Sequence, residues 1–278
     1  MSKFAYVNGK YLNIKNAKIS VNDRSIHFSD AVYEVIAVYQ GKLVFWKDHV
    51  SRLKKSLNML DIKNFNNINT LVHKCNEVID LNNLQFGLIY IQISRGIASR
   101  NHNWNKDIIP SLIISALHKD VFKASKPISL ISNIDIRWKF SNIKSTSLLG
   151  NVLLKQKALK SNSFECVMYD ERKMITEATT SNIWIIKNKN LYTPPLSKNI
   201  LPGVTRKIVF EIANNLKIKA SEKDISIQSL NKADGVFLTN SSSLLLLAKK
   251  IDNLKLKTDK DNISRLVYDK LMEIIKKS

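Results

Sequence analysis

The sequence predicts a mixed α/β fold, of the α/β or α+β class, arranged in two domains. Short strand-like apolar segments alternate with amphipathic segments of helical period in both halves of the chain. The 278 residues are enough for one large domain or two of ordinary size. A polar stretch at residues 119–127 ends in a proline and is typical of a linker. We therefore expect a smaller N-terminal α/β domain at 1–118 and a second domain at 128–278.

The N-terminal half is predicted to begin with two β-hairpins. An Asn-Gly pair at residues 8–9 and a Gln-Gly pair at residues 40–41 each separate two strand-like segments. Glycine and asparagine tolerate the positive φ angles of two-residue hairpin turns, so both pairs favour a reversal of the chain. A helix is predicted next, because the leucines between 53 and 60 recur at helical spacing and Asp48 is a candidate N-cap.

The later elements follow from the same periodicities. Helices are predicted for NINTLVHKCNEVIDL, LLGNVLLKQKALKS, GVTRKIVFEIANNL, SSSLLLLAKK and NISRLVYDKLMEIIKK, and strands for LIYIQISRG, SLIISALH, ISLISNIDIRW, FECVMYD, SNIWIIKNKNLYT and VFLTN. No apolar run reaches the ~20 residues that a membrane helix needs, and the N-terminal segment lacks the apolar core of a signal peptide. Two cysteines in no paired framework favour a reducing cytoplasm.

The net charge of +21 raises the question of nucleic-acid binding. The basic residues are 36 Lys and eight Arg, spread along the whole chain without an Arg-rich arm, a zinc-ligand spacing or an RNP-like aromatic motif. This distribution favours a solvated basic surface and no nucleic-acid partner. A nucleic-acid-binding protein stays open as a different class of function, and it would show salt-dependent binding and no visible absorbance.

Lys144 stands between an apolar strand and a predicted helix, among Ser, Thr and Asn rather than other lysines. Partial burial there would lower the pKa of the amine and free it to attack a carbonyl carbon. A solvated surface lysine is the alternative that this segment alone leaves open.

A carboxylate is followed by hydroxyl residues further along the chain. Glu177 precedes Thr179, Thr180 and Ser181, and an apolar strand begins directly afterwards. Consecutive hydroxyls can surround a phosphate. A turn rich in Thr and Ser is the alternative interpretation.

Other segments offer further donors for an anion. Pro-Gly at residues 202–203 immediately precedes a predicted helix, so the backbone amides of Val204 and Thr205 are candidates for phosphate binding. Ser241 and the next serine follow a buried strand. Arg52 is an arginine on a lysine-rich helix, where bidentate phosphate contact would explain the choice. An amine nucleophile, a carboxylate and several phosphate donors are what pyridoxal 5′-phosphate (PLP) requires.

The order of these motifs resembles the fold-type IV aminotransferases. The matching parts are IK, TE-x-[ST][ST]SN and LPG[VI]TR, with VYEV and HxxRL upstream, and they extend over nearly the whole chain. The resemblance implies a PLP enzyme with a smaller N-terminal α/β domain, a β-barrel-like C-terminal domain that binds the cofactor, and a homodimer. It also implies amino acid and 2-oxo acid substrates, and no metal.

The resemblance assigns roles to particular side chains. Lys144 would be the catalytic residue, bonding to the cofactor aldehyde and later carrying a proton, while Lys139 has no implied role. Glu177 would hold the pyridine nitrogen in its protonated form. The other implied cofactor contacts are Arg52, Leu201, Val204, Thr205, Ser241, Thr180 and Ser181, with Leu201 packed on the ring and most of the rest at the phosphate.

The segment Arg100-Asn101-His102 resembles the D-amino acid branch of the family. In that branch Arg100 and His102, with Tyr33 of VYEV, would bind the substrate α-carboxylate. The implied reaction moves an amino group between D-amino acids of the D-alanine or D-glutamate type and 2-oxo acids. A branched-chain L-amino acid transaminase and an aminodeoxychorismate lyase share the family pattern and remain alternatives.

Overall fold

The computed structural model describes residues 2–277, which form two compact units. The first unit comprises residues 2–121 and 143–147, and the second comprises residues 122–142 and 148–277. The first unit ends within the predicted linker at 119–127. The segment Ile143–Ser147, which the sequence prediction placed in the second domain, groups with the first unit.

The first unit contains a six-stranded antiparallel sheet. Its elements are β1 (Phe4–Val7), β2 (Lys10–Asn13), α1 (Arg24–Phe28), β3 (Ala31–Tyr39), β4 (Lys42–Leu43), α2 (Trp46–Met59), α3 (Leu71–Leu81), β5 (Phe86–Ser94) and β6 (Ser111–His118). The strand order is β2-β1-β6-β5-β3-β4. Both predicted hairpins are confirmed, because Asn8 and Gly9 have φ of 45° and 97°, and Gln40 and Gly41 have φ of 48° and 77°.

The two faces of this sheet have different partners. Alternate residues of β3 and β5, such as Ile36 and Ile91, point into a hydrophobic core that is completed by Leu53 of α2 and Leu71 of α3. The residues between them, which include Tyr33, lie on the opposite and less buried face. Because alternate residues point to opposite faces, the core-packing residues lie on one side of the sheet, and the other side can carry functional side chains.

Helix α2 begins earlier than the sequence predicts. Phe45, in the left-handed region with φ of 53°, occupies the N-cap position, and its carbonyl accepts from the amides of Asp48 and His49. Asp48 therefore lies in the first turn, so the prediction that it caps the helix is wrong. The acidic side chain there suits the positive end of the helix dipole.

The second unit is built on a larger sheet. Its elements are β7 (Ile128–Ile134), α4 (Leu149–Lys160), β8 (Glu165–Tyr169), β9 (Ile175–Ala178), β10 (Asn182–Lys187), β11 (Asn190–Thr193), α5 (Val204–Asn215), β12 (Ala220–Glu222), β13 (Gly235–Asn240), β14 (Leu244–Ile251), β15 (Leu254–Lys255) and α6 (Ile263–Lys277). The order is β12-β11-β10-β13-β14-β7-β8-β9, with β15 beside β14. Strand β9 at one edge also contacts β10 near the other, so the sheet curls like a partial barrel. The predicted mixed fold with a barrel-like second sheet is confirmed.

The leucine-rich segment after residue 243 is a strand, and its prediction as a helix was wrong. It forms β14, which pairs with β13 on one side and with β7 on the other. Leu244, Leu245 and Leu246 are consecutive and all buried. A central strand covered on both faces has the same continuous apolar sequence as a buried helix, so periodicity does not separate the two.

None of the helices within residues 2–277 combines the length and the apolar character that crossing a lipid bilayer requires.

The second unit depends on the packing of Trp184 on β10. Its ring is fully buried, stacks on Phe237 with centroids 5.9 Å apart, and donates its indole N–H to Thr239 Oγ1 at 3.1 Å. We expect Trp184→Ala to lower the free energy of unfolding by about 3–5 kcal/mol, since it leaves a cavity. Denaturant unfolding would measure this, with Trp138→Ala as the control at a 37% exposed tryptophan. Equal losses in both variants would contradict the expectation.

Candidate active site

Lys144 is held against strand β3 of the first unit. Its carbonyl accepts from the amide of Tyr33 at 2.9 Å, and its own amide donates to Ser56 Oγ at 3.2 Å. The amine Nζ lies 4.2 Å from the centroid of the Tyr33 ring. Lys144 is half-buried, whereas Lys139 is exposed. The structure therefore positions the side chain of Lys144 on the less buried face of the sheet, beside an aromatic ring.

Glu34 lies on the opposite face of β3 and is completely buried. Its two oxygens accept from Arg52, with Nε to Oε1 at 2.8 Å and Nη2 to Oε2 at 2.7 Å. Burial alone would raise the pKa of Glu34, but the charge and hydrogen bonds of Arg52, followed by those of His49, lower it to about 2. This forked pair fixes the orientation of Arg52, a predicted phosphate contact.

His49 completes this cluster. Its Nδ1 lies 2.7 Å from Glu34 Oε2. Burial lowers the pKa of His49, Glu34 opposes that shift, and the charges of Arg52 and Lys144 lower it further. A neutral imidazole next to an ionised carboxylate donates its Nδ1–H to it, which leaves Nε2 as an acceptor.

Glu177 on β9 is a buried carboxylate of the second unit. Its Oε1 accepts from Arg137 Nη1, and its Oε2 accepts from Asn182 Nδ2 at 3.0 Å and from the amide of Leu201 at 3.2 Å. Arg137 also donates to Asp135 Oδ2 at 2.6 Å. These contacts fix the Glu177 side chain and connect it to the chain before α5.

The surroundings of Glu177 raise the pKa of its carboxyl group into the neutral range. Burial raises the pKa of Glu177 to about 7, although the charge of Arg137 opposes the shift. Burial works against the charge of Arg137 as well, but Glu177 and Asp135 raise its pKa above the usual range. Arg137 therefore stays cationic, while Glu177 ionises fully when a further cation approaches it.

The hydroxyls that follow Glu177 are directed toward a second buried carboxylate, Glu165. Its Oε1 accepts from the hydroxyl of Thr179 at 3.1 Å and that of Thr180 at 2.8 Å, and its Oε2 accepts from Ser181 Oγ at 3.0 Å. Glu165 was not predicted from the sequence to be a site residue. An acidic residue at the start of an apolar strand was the available signal, but its partners lie 14–16 residues away.

The start of α5 provides backbone donors. Gly203 occupies the N-cap position and has no side chain to satisfy the first amides, which belong to Val204 and Thr205. A Cβ at Gly203 would lie 2.0 Å from Asn182 Oδ1, so a larger residue there would displace the Asn182 side chain. Asn182 also donates to the carbonyl of Leu201 at 3.0 Å, which holds the segment before the helix. This helix end can bind an anion.

Ser241 lies in the tight turn between β13 and β14 rather than before a helix. Asn240 organises this turn, because its Oδ1 accepts from the amide of Ser242 at 2.9 Å. The same side chain donates through Nδ2 to Ser181 Oγ at 2.8 Å. Asn240 thus connects the hydroxyl-bearing turn after β9 with the one after β13.

Arg100 and His102 lie on the exposed loop between β5 and β6 and share one aromatic neighbour. The guanidinium of Arg100 lies 5.6 Å from the Phe28 ring centroid, and the His102 ring lies 5.3 Å from it. Tyr33, the third predicted carboxylate contact, stacks on Tyr90 with centroids 5.7 Å apart. Joint action of Arg100, His102 and Tyr33 remains a prediction.

The predicted site residues thus form two groups, one in each unit. Lys144, Tyr33 and Arg52 are positioned by β3 and α2 of the first unit. The second unit contributes Glu177, Thr180, Ser181, Leu201, Val204, Thr205 and Ser241. The first group supplies an amine and a fixed guanidinium, and the second supplies a buried carboxylate and a helix end suited to an anion.

Comparisons with known proteins agree on the family. Residues 31–251 match the family described as amino-transferase class IV. The D-alanine aminotransferase of Staphylococcus aureus (strain MSSA476) is 32% identical over 250 residues, which covers 89% of this chain and 88% of that protein. The fold is similar to the Escherichia coli branched-chain amino acid aminotransferase, with a TM-score of 0.92, 21% identity, and coverage of 99% of this chain and 95% of that one.

A further structure connects this fold with the cofactor. The T.th. branched-chain amino acid aminotransferase, complexed with N-(5′-phosphopyridoxyl)-L-glutamate, has a TM-score of 0.90 and 21% identity, with coverage of 100% of this chain and 96% of that one. The family match extends over most of the chain and includes Lys144, Glu177 and the start of α5. The chain belongs to the class IV aminotransferases, which are PLP-dependent enzymes.

Proposed function

We propose that the protein is a D-amino acid transaminase, which exchanges an amino group between D-alanine-like or D-glutamate-like donors and 2-oxo acids. The observation that carries this proposal is the pair Arg100 and His102, held on one loop around Phe28. The similarity to a D-alanine aminotransferase at 32% identity over 89% of the chain supports the same specificity.

The side chains fit PLP by the chemistry of their donors and acceptors. The cofactor supplies an aldehyde that bonds to amines and a ring that accepts the electron pair released at the substrate Cα. Lys144 offers the amine, Glu177 a carboxylate for the ring nitrogen, and the first amides of α5 an anion site. Gly203 has no side chain at the N-cap position, and a Cβ there would meet Asn182 Oδ1 at 2.0 Å.

Lys144 is the catalytic residue of the proposal. Its Nζ would bind the cofactor covalently at rest, and, once released by a substrate amine, would take a proton from the substrate Cα. The Tyr33 ring at 4.2 Å and the backbone contacts of residue 144 restrict where this amine can point. A fixed direction of proton transfer is the basis of stereochemical choice.

Glu177 would hold the ring nitrogen in its protonated form. Its Oε2 already accepts from Asn182 and Leu201, so the carboxylate cannot rotate freely. A protonated ring nitrogen is a cation, and its approach would lower the raised pKa of Glu177 and ionise it. Arg137 maintains the position of the carboxylate while this pair forms.

The cofactor phosphate would bind the amides of Val204 and Thr205, the Thr205 hydroxyl, Arg52 and Ser241. Leu201 would pack on the ring. Thr180 and Ser181, also predicted to bind the cofactor, direct their hydroxyls to Glu165, so the phosphate assignment depends chiefly on the helix end and Arg52. In this site a buried guanidinium with a fixed orientation is a better phosphate donor than a mobile lysine.

Arg100 would bind the substrate carboxylate, with His102 and Tyr33 adding hydrogen bonds. Arg100 has a permanent charge and a planar fork that matches a carboxylate. With the carboxylate fixed and Lys144 on one face, only one arrangement of the Cα substituents directs its hydrogen at Nζ. We propose that this arrangement is the D-enantiomer.

A branched-chain L-amino acid transaminase is the second candidate. It is favoured by the fold similarity to the Escherichia coli branched-chain enzyme at a TM-score of 0.92. A fold at 21% identity leaves the side chains around the substrate undetermined. Turnover of matched D- and L-amino acids decides between the two.

We further propose a homodimer in the cytoplasm. Helix α4 presents Leu149, Val152 and Leu153, which are 71%, 51% and 53% exposed, on one helical face. A contiguous apolar stripe on a helix is typical of a subunit contact. Cys75 and Cys166 are both free and buried, which agrees with a reducing compartment.

We expect Lys144→Ala to abolish covalent attachment of PLP and nearly all transamination. The proposal assigns no other lysine a position from which its amine could replace that of Lys144. Borohydride reduction followed by peptide mapping checks this, and Lys139→Ala is the control because that lysine is nearby and exposed. A label on another lysine in the unsubstituted protein would reject the assignment.

We expect Glu177→Gln to alter the pH dependence of stability without cofactor. The folded pKa of about 7 lies above the ordinary 4.5, so the parent holds a proton more tightly when folded. Relative to the variant, the parent therefore loses about 3 kcal/mol of unfolding free energy as the pH rises through that window. Denaturant titrations at pH 5 and pH 8 measure the free energy of unfolding of the parent and the variant. A gap between the two proteins that is the same at both pH values would contradict the expectation.

We expect Arg100→Ala to reduce kcat/KM for D-alanine about tenfold to a hundredfold, because one charge-assisted contact contributes ~1.5–3 kcal/mol. PLP content should be unchanged. Lys106→Ala is the matched control, since it removes a positive charge from the same exposed loop. Unchanged D-alanine turnover in Arg100→Ala, or a parent preference for L-leucine, would instead support the branched-chain candidate.

A further inference from the structure

The loop that carries Arg100 and His102 is held by a buried arginine, Arg24 of α1. Only 3% of Arg24 is exposed. Its Nη1 donates to the carbonyl of Asn101 at 2.6 Å and to that of Asn103 at 3.4 Å, and its Nη2 donates to the carbonyl of His102 at 3.4 Å. One guanidinium therefore spans three consecutive carbonyls of an otherwise exposed loop.

Asp30 fixes the other side of this guanidinium. Its Oδ2 accepts from Arg24 Nε at 2.8 Å and from Arg95 Nε at 2.7 Å. Arg95 in turn donates to the carbonyls of Leu60 at 2.6 Å and Asp61 at 3.0 Å. Two arginines share one carboxylate, and backbone carbonyls accept most of their remaining donors. The base of the loop is thereby connected to the end of α2.

Aromatic rings extend the same cluster to the functional side chains. The Phe28 ring lies 4.7 Å from the Arg24 guanidinium and also contacts Arg100 and His102. Arg95 lies 4.0 Å from the centroid of the Trp104 ring. The loop is therefore anchored through its backbone at 101–103 and by aromatic contacts on both sides of that segment.

The backbone of Arg24 is itself fixed to the start of the loop. Its amide donates to the carbonyl of Gly96 at 2.9 Å. Gly96 has φ of +119°, and a Cβ there would lie 2.0 Å from the carbonyl oxygen of Ile109, so the beginning and end of the loop meet at a position that requires glycine. The donors of Arg24 are directed at Asp30 and at loop carbonyls, so Arg24 is oriented toward the loop backbone rather than outward.

We infer that Arg24 is a positioning residue for binding of the substrate carboxylate, acting through Arg100 and His102; the inference rests on the proposed function. Holding the carbonyls of residues 101–103 fixes the peptide planes next to both functional residues. The two side chains then start from defined Cα positions, and Phe28 limits their rotation. Misplacement of such groups by about 1 Å can reduce a rate on the order of a hundredfold.

Arg24→Lys tests the inference, since lysine keeps the charge but cannot span three carbonyls with one planar fork. We expect KM for the amino acid and for the 2-oxo acid to rise about tenfold to a hundredfold, with kcat changed less than about threefold. PLP content should equal that of the parent. Arg265→Lys on α6, an exposed arginine paired with Asp269, is the matched control and should behave like the parent.

A double-mutant cycle separates positioning from general loss of structure. In a background that carries both Arg100→Ala and His102→Ala, Arg24→Lys should change KM less than about twofold, because both groups that it positions are absent. An equal effect in both backgrounds would overturn the inference. Hydrogen exchange of the amides at 100–104 should become faster in Arg24→Lys, and faster exchange with unchanged KM would also overturn it.

The assay uses whichever amino acid the parent turns over fastest, D or L. A parent that prefers an L-amino acid rejects the proposed D-specificity, whereas the coupling between Arg24 and Arg100 still tests the positioning role. Should Arg24→Lys fail to fold, Phe28→Leu removes the ring shared by Arg24, Arg100 and His102 and should raise KM in the same way. Unchanged KM in Phe28→Leu would then contradict the inference.

Discussion

The pairing of a buried guanidinium with a carboxylate is the interaction on which the candidate site depends. Five of the eight arginines have side chains less than 10% exposed and paired with an acidic group: Arg24, Arg52, Arg95, Arg137 and Arg206. The 36 lysines supply most of the basic surface. Arginine is found where a planar fork must meet two acceptors out of water, which lysine cannot do as well. The buried ion pairs therefore use arginine, whereas the exposed basic surface is mostly lysine.

These pairs fix geometry rather than add stability. Removing water from two ions costs about as much as their attraction returns, but loss of one partner leaves a buried charge, at about 3–5 kcal/mol. Glu34 holds Arg52, and Arg137 holds Glu177, each through contacts to fixed atoms. The proposed phosphate donor and ring partner thus have defined orientations before any ligand binds, so little ordering is required on binding.

The sequence predicted the elements whose signals are local and missed the contacts that are distant. Both hairpins follow from turn residues, and α5 from its Pro-Gly start. Strand β14 was mistaken for a helix because its burial comes from neighbouring strands. Glu34, Glu165 and Arg137 were not identified as site residues, since the contact between Arg137 and Glu177 joins residues 40 positions apart and a single acidic or basic residue gives no indication of its contacts.

Similarity of the fold and similarity of substrate specificity depend on different parts of the chain. Overall backbone shape is determined by sheet order and core packing, and this chain shares it with a branched-chain enzyme at 21% identity. Under the proposed function, substrate choice depends on the exposed side chains of Arg100 and His102, and their placement depends on how their loop is anchored. Residues 101–103 are held by Arg24 at the start of α1, which Asp30 orients in turn, and both residues precede β3. Under the same proposal, a substitution in this anchor changes substrate binding and leaves the fold intact, so backbone shape alone does not select the substrate.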